Sequence, residues 1–276
     1  MTRWAAFAGF TLVVLALLLL LARASQSVVT STGTAAYVTR EESRWLNRLP
    51  DGAGHLDIED APAPTRKTPA ESTLTPGPEL STAALLANVA VSHGLFALLL
   101  LAGIWLTDVP AAALGITEAA ISTGGLGVAV GVALGVAISF VNTLAAGLAE
   151  TFGADPSEEL RELLAPETLA GWVGLLVVVL PLIAGFEELL FRGALVGAFA
   201  VGFGVSPWLL AVVSSVAFAA GHGAQGGLGV VVTGLLGFVL ATAFILTNSL
   251  LVVVIAHYVV NAVEFVVIEG LGWEPF

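Results

Sequence analysis

The 276-residue chain contains no cysteine, which excludes disulfides, Cys-ligated zinc, iron–sulfur clusters and thiol catalysis. Charge is scarce as well: Asp, Glu, Lys and Arg make up 11% of the residues, against about a quarter in soluble domains. Only nine of the charges are basic against 21 acidic, a formal net charge of −12. Without a basic surface to neutralise phosphates, nucleic acid is excluded as a partner. What remains is apolar, 57% of the chain, with a mean hydropathy of +0.97. That composition is solvated by lipid, so the chain reads as an integral membrane protein with the bilayer as its first partner.

Residues 4–22 are apolar apart from Thr11 and are bracketed by Arg3 and Arg23, long enough to cross about 30 Å of hydrocarbon as a helix. Ala22-Arg23-Ala24 ahead of Ser25 also resembles a signal-peptidase site. The length of the apolar run and the single Arg before it favour a retained transmembrane helix over residues 1–24 rather than a signal peptide. Residues 25–80 change character, with eight acids and Pro at 50, 62, 64, 69, 76 and 78. Apart from a short helix around Glu41–Leu49, that segment reads as a mostly disordered tether. Residues 81–276 return to membrane composition and read as a multi-helix core beginning near Ser81.

Candidate spans in this core are 81–106, 119–147, 168–202, 207–222, 227–246 and 249–269. The fold class is therefore all-α, a polytopic transmembrane bundle of six core helices plus one N-terminal helix. The 168–202 stretch would be about 50 Å long as one straight helix, more than a bilayer needs, and Pro181 is the expected place for a kink. Gly131 and Gly135 form a GxxxG pair that permits close helix approach. Asp155–Glu167, polar and acidic, reads as a surface helix between the second and third spans. Loop cations concentrate on the tether side, so the positive-inside rule places the tether in the cytoplasm and the protein in the plasma membrane.

Ionisable residues inside spans are expensive and mark function. Glu187-Glu188-Leu189-Leu190-Phe191-Arg192 sets two carboxylates and a guanidinium in an apolar run. Glu188 and Arg192 are i,i+4 and can pair across one turn. Glu187 lies about 100° round the helix and is left without a partner at that spacing. Phe218 and His222 are i,i+4 at the end of another span, with Gly221 and Gly223 flanking the imidazole. His257 and Asn261 are i,i+4 in the last span. One Glu and two imidazoles on three spans can polarise a water by themselves. Glu187, His222 and His257 are also a ligand set for zinc with one coordination position open. Asn261 can orient the water or donate to a developing oxyanion. Glu264 shares the His257 stripe and reads as a water-reaching carboxylate, while Asn88, His93 and Asn142 read as interhelical hydrogen-bond partners.

Glu187-Glu188-x-x-x-Arg192, Phe218-x-x-x-His222 and His257-x-x-x-Asn261, in that order and each in a hydrophobic helix, resemble the three motifs of the CPBP intramembrane proteases, the family of type II CAAX prenyl proteases and Abi proteins. The N-terminal helix and tether lie outside the resemblance. It implies an endopeptidase acting on a membrane-associated, CAAX-like protein or peptide substrate, either as a metalloprotease with zinc or with a bare Glu–His water. It further implies that Glu187 and His222 activate the water, that His257 and Asn261 stabilise the oxyanion, and that Glu188 and Arg192 support the site. A non-catalytic family member acting in binding or immunity is the alternative. A proton-coupled transporter would also use buried Glu and His, but no second copy of the polar cluster suggests an internal repeat.

Overall fold

The computed structural model describes residues 1–24, 81–151, 161 and 164–272. The tether read over 25–80, with the short helix expected around Glu41–Leu49, lies outside the described residues, as does most of the Asp155–Glu167 segment. Among the described residues there is no strand. The elements are α1 (Trp4–Ala24), α2 (Thr82–Leu106), a single turn α3 (Ala120–Thr123), α4 (Gly125–Thr151), α5 (Leu169–Phe203), α6 (Pro207–Gly221), α7 (Gly226–Thr247) and α8 (Leu250–Glu264).

Polar residues start these helices where the apolar runs begin. Ser81, Thr168 and Ser249 each accept a hydrogen bond from a backbone N–H in the first turn of α2, α5 and α8, satisfying donors that the helix itself leaves unpaired. Pro207 opens α6, where its missing N–H costs nothing.

Among the described residues six helices, α1 among them, are long and apolar enough to cross a membrane, and the chain is an integral membrane helical bundle. Of the six core spans read from sequence, five have that length. The sixth, α6, has 15 residues, about 22 Å as a helix. It is shorter than the about 30 Å of hydrocarbon, and His222 is the residue that ends it.

Residues 169–203 run as one helical segment that passes through Pro181 without interruption. The helix widens to π-type turns at Leu175–Val179, just before Pro181, and again at Leu189–Ala198. A wide turn upstream takes up the carbonyls that the Pro ring would otherwise leave unpaired or push away. The second wide turn starts immediately after Glu188 and carries Arg192, in the part of α5 that holds the ionisable residues.

α4 lies along α8, and the contact explains the GxxxG pair. A Cβ at Gly131 would stand 2.8 Å from the Val252 carbonyl oxygen, and one at Gly135 would stand 2.7 Å from that of Ala256. The small residues are thus used within the chain, where they press α8 inward at the turn that precedes His257. α1 is tied down as well. Phe7, Thr11 and Val14, at helical spacing, are all fully buried, and Phe7 packs edge-on against Phe199 at 6.4 Å. The Arg3 guanidinium donates to the Leu106 carbonyl and the Arg3 N–H to that of Thr107, so a cation caps the C-terminal end of α2. The core read as beginning at Ser81 therefore shares its apolar interior with α1.

The α4–α8 contact makes a stability prediction. Gly135→Leu is expected to destabilise the detergent-solubilised protein by about 1–3 kcal/mol through overpacking, seen as a lower thermal midpoint. Gly174→Ala, in helical backbone with open space around the new methyl, should leave the midpoint unchanged or slightly raised.

Candidate active site

Five helices supply the polar cluster. α5 brings Glu187, Glu188 and Arg192, α6 brings Phe218 and His222, α7 the Gly237 carbonyl, α8 His257 and Asn261, and α2 His93. All the α5 members are buried, Glu188 and Arg192 completely.

Glu188 and Arg192 pair as their spacing predicts, with Arg192 Nη1 2.6 Å from Glu188 Oε1. Buried ions need more than each other, and three further contacts surround this pair. Arg192 Nη2 donates to the Gly237 carbonyl at 2.9 Å. The guanidinium carbon lies 4.6 Å from the centre of the Phe218 ring, a cation–π arrangement. The same Glu188 Oε1 accepts from His257 Nδ1 at 2.7 Å. Gly237 is required for closeness, because a Cβ there would be 3.1 Å from the Phe218 ring and 3.4 Å from Arg192 Nη2.

Glu187 points elsewhere. Its Oε1 is 3.7 Å from His93 Nε2 and its Oε2 is 3.8 Å from His257 Nε2, and Oε2 is buried with no hydrogen-bond partner. Of the two acids, the guanidinium hydrogen-bonds Glu188.

The three imidazoles are oriented alike. Nδ1 of His257 donates to Glu188, Nδ1 of His222 to the Phe218 carbonyl at 2.8 Å, and Nδ1 of His93 to the Val89 carbonyl at 2.9 Å. Each bond fixes the ring and leaves Nε2 for chemistry. Phe218 separates two of the rings: its centroid is 4.5 Å from that of His222 and 6.0 Å from that of His257. This is the use of the aromatic residue four positions before His222. Asn261 lies one turn beyond His257 on α8 and is partly buried.

The structure thus brings Glu187, Glu188, Arg192, Phe218 and His257 together around α5, with His222 beside Phe218. It adds His93, which sequence reading placed among interhelical hydrogen-bond partners. Its ring bonds its own helix through Val89 and also turns its other nitrogen across to Glu187 on α5, 3.7 Å away. The only signal for it in sequence was an ionisable residue inside a span. Glu264 lies outside the cluster, paired at its exposed edge with Arg161 at 3.2 Å, and Glu269 takes a second bond from Arg161 at 2.7 Å. Among the described residues, no group of three or more His, Asp or Glu stands in metal-holding geometry. As placed, Glu187, His222 and His257 do not form a fitted zinc site.

Residues 169–263 match the family model described as type II CAAX prenyl endopeptidase, Rce1-like. The match runs from the start of α5 to the last turn of α8 and takes in all three motif pairs, leaving α1, α2 and α4 outside. No curated protein and no solved structure matches the chain.

Glu188 is the acceptor shared by a guanidinium and an imidazole, so its loss should be felt in the fold. Glu188→Ala strands Arg192 in a dry interior and is expected to cost about 3–5 kcal/mol, read as a large fall in thermal midpoint and in the yield of inserted protein. Glu188→Gln keeps an acceptor oxygen for both donors and should lose less.

Proposed function

We propose that this chain, whose residues 169–263 match the model of the Rce1-like type II CAAX prenyl endopeptidases, is an intramembrane endopeptidase that hydrolyses a peptide bond of a membrane-associated, CAAX-like substrate. The observation that carries this reading is the division of labour between adjacent carboxylates. Oε1 of Glu188 holds both Arg192 and His257, while buried Glu187 stands with its two oxygens 3.7 and 3.8 Å from the Nε2 atoms of His93 and His257. A carboxylate held that way is an acceptor waiting for a proton.

In the reaction, Glu187 and His222 Nε2 accept from a water, and Glu187 takes its proton as the water oxygen attacks the substrate carbonyl carbon. The new carbon–oxygen bond turns the carbonyl oxygen into an oxyanion. Asn261 donates to it through its amide. His257 donates through Nε2 when both ring nitrogens carry protons, and Glu188, 2.7 Å from Nδ1, offsets the positive charge of that form. Collapse of the intermediate breaks the carbon–nitrogen bond, and the proton held by Glu187 passes to the departing amine. α6 is shorter than a full span and runs toward the tether side, so His222 and its glycine neighbours give a lipid-borne substrate a route to the cluster from that side, the cytoplasmic side by the positive-inside reading.

Zinc, if bound, would polarise the water and draw on Glu187, His222 and His257. Each His already has the outer acceptor that ligating imidazoles use, but the three groups do not meet in ligand geometry, and no step above is routed through a metal.

Two measurements test this reading. In a peptide-library cleavage assay read by mass spectrometry, Glu187→Gln is expected to lower turnover by about 10²–10⁴-fold in protein that still inserts and folds, and Asn261→Ala by about 10²–10³-fold. Near-normal cleavage by Glu187→Gln would remove Glu187 as the base. For the metal, full activity at sub-stoichiometric zinc in the presence of a strong chelator is the expected result. Chelator inhibition reversed by added zinc would transfer water activation to a metal centre.

A further inference from the structure

We propose that His93, contributed by α2 from outside the family-matched segment, is a positioning residue for this hydrolysis: it holds Oε1 of Glu187 so that Oε2 faces the water. The inference rests on the reading of Glu187 as the base.

Glu187 is the one buried carboxylate of the cluster without a fixed partner. Its neighbour Glu188 has taken the guanidinium. Nothing within hydrogen-bond distance fixes its Oε2, and a Glu side chain free to rotate about its torsions would spend little time aimed at a water. His93 supplies a restraint from the far side. Its Nε2 stands 3.7 Å from Oε1, opposite the 3.8 Å approach of His257 Nε2 to Oε2. Because Nδ1 of His93 donates to the Val89 carbonyl, Nε2 is the nitrogen turned to the carboxylate. At 3.7 Å the pair lies just outside hydrogen-bond distance, so a shift of about half an ångström by either side chain lets His93 Nε2 hold Oε1.

The ring is mounted to do this. It packs edge-on to Phe186 at 5.7 Å and 84°, and Phe186 stacks on Phe96 at 6.0 Å. Phe96 belongs to α2 and Phe186 directly precedes Glu187, so the same aromatic contact that docks α2 on α5 sets the imidazole beside the carboxylate. A histidine kept only for packing would need no polar atom aimed at the single unpaired acid of the site.

Two isosteric halves of the imidazole separate positioning from packing. His93→Asn places an amide where Nδ1 was and keeps the bond to Val89 but stops short of Glu187. His93→Gln reaches the Nε2 position and can donate to Oε1. Both remain polar and should insert with unchanged thermal midpoints. The expected result is that His93→Asn lowers kcat by about 10–100-fold with KM little changed, while His93→Gln stays within about threefold of the parent. Unchanged kcat in His93→Asn, with cleavage lost in Glu187→Gln, overturns the positioning role alone. Equal losses in both His93 variants accompanied by falling midpoints assign the ring to packing and also overturn it. Near-normal kcat in Glu187→Gln removes the base reading, and the role of His93 with it.

Discussion

A guanidinium buried at membrane depth is the constraint around which the rest of the polar interior is arranged. Arg192 is completely shielded, and an isolated charge there would be several kcal/mol more costly than in water. Its neutralisation recruits a carboxylate one turn away on its own helix, the Gly237 carbonyl from α7 and the face of Phe218 from α6. Three positions on three helices are thereby committed to one side chain. Glu188 then passes the constraint on, since the oxygen that holds Arg192 also holds His257. The orientation of α8 at its imidazole is set by a charge on α5.

That arrangement explains why two adjacent acids differ so much. Successive residues on a helix point about 100° apart, so only one of them can face the guanidinium. The other emerges on the α2 and α8 side, where it meets imidazole nitrogens. The wide turn that begins just after Glu188 carries Arg192 through its first residues, and π-type turns recur at functional positions because they re-aim side chains without ending the helix. In α5, the carboxylate that pairs with Arg192 and the one that faces the imidazoles are separated by helix geometry alone.

The helices outside the matched segment act as the frame. α4 presses on α8 through Gly131 and Gly135, close enough that the backbone of α8 one residue before His257 is in contact. α2 is docked by the Phe96–Phe186 stack beside Glu187. α1 inserts Phe7 and Val14 into the common core and closes the end of α2 with Arg3. Association of helices in lipid gains little from the hydrophobic effect and depends on close packing and buried hydrogen bonds, and each of these contacts is of that kind.

The sequence by itself determined whatever depends on neighbours along one helix. Long apolar runs mark the spans to within a few residues at most of their ends, because lipid demands a continuous apolar stretch. The i,i+4 interval predicts the Glu188–Arg192 pair, because residues four apart on a helix share a face. Motif spacing singled out Glu187, His222, His257 and Asn261. Tertiary structure decided what crosses between helices. No periodicity in α5 announces that Glu188 also binds His257, or that Phe218 lies against Arg192 and both imidazoles. Nothing in α2 distinguishes His93 from any other polar residue in a span until α2 is placed on α5. Likewise the length of α6 and the passage of α5 through Pro181 depend on wide turns and on packing partners. Helical spacing encodes adjacency on one rod; which faces of two rods meet is a property of the whole bundle.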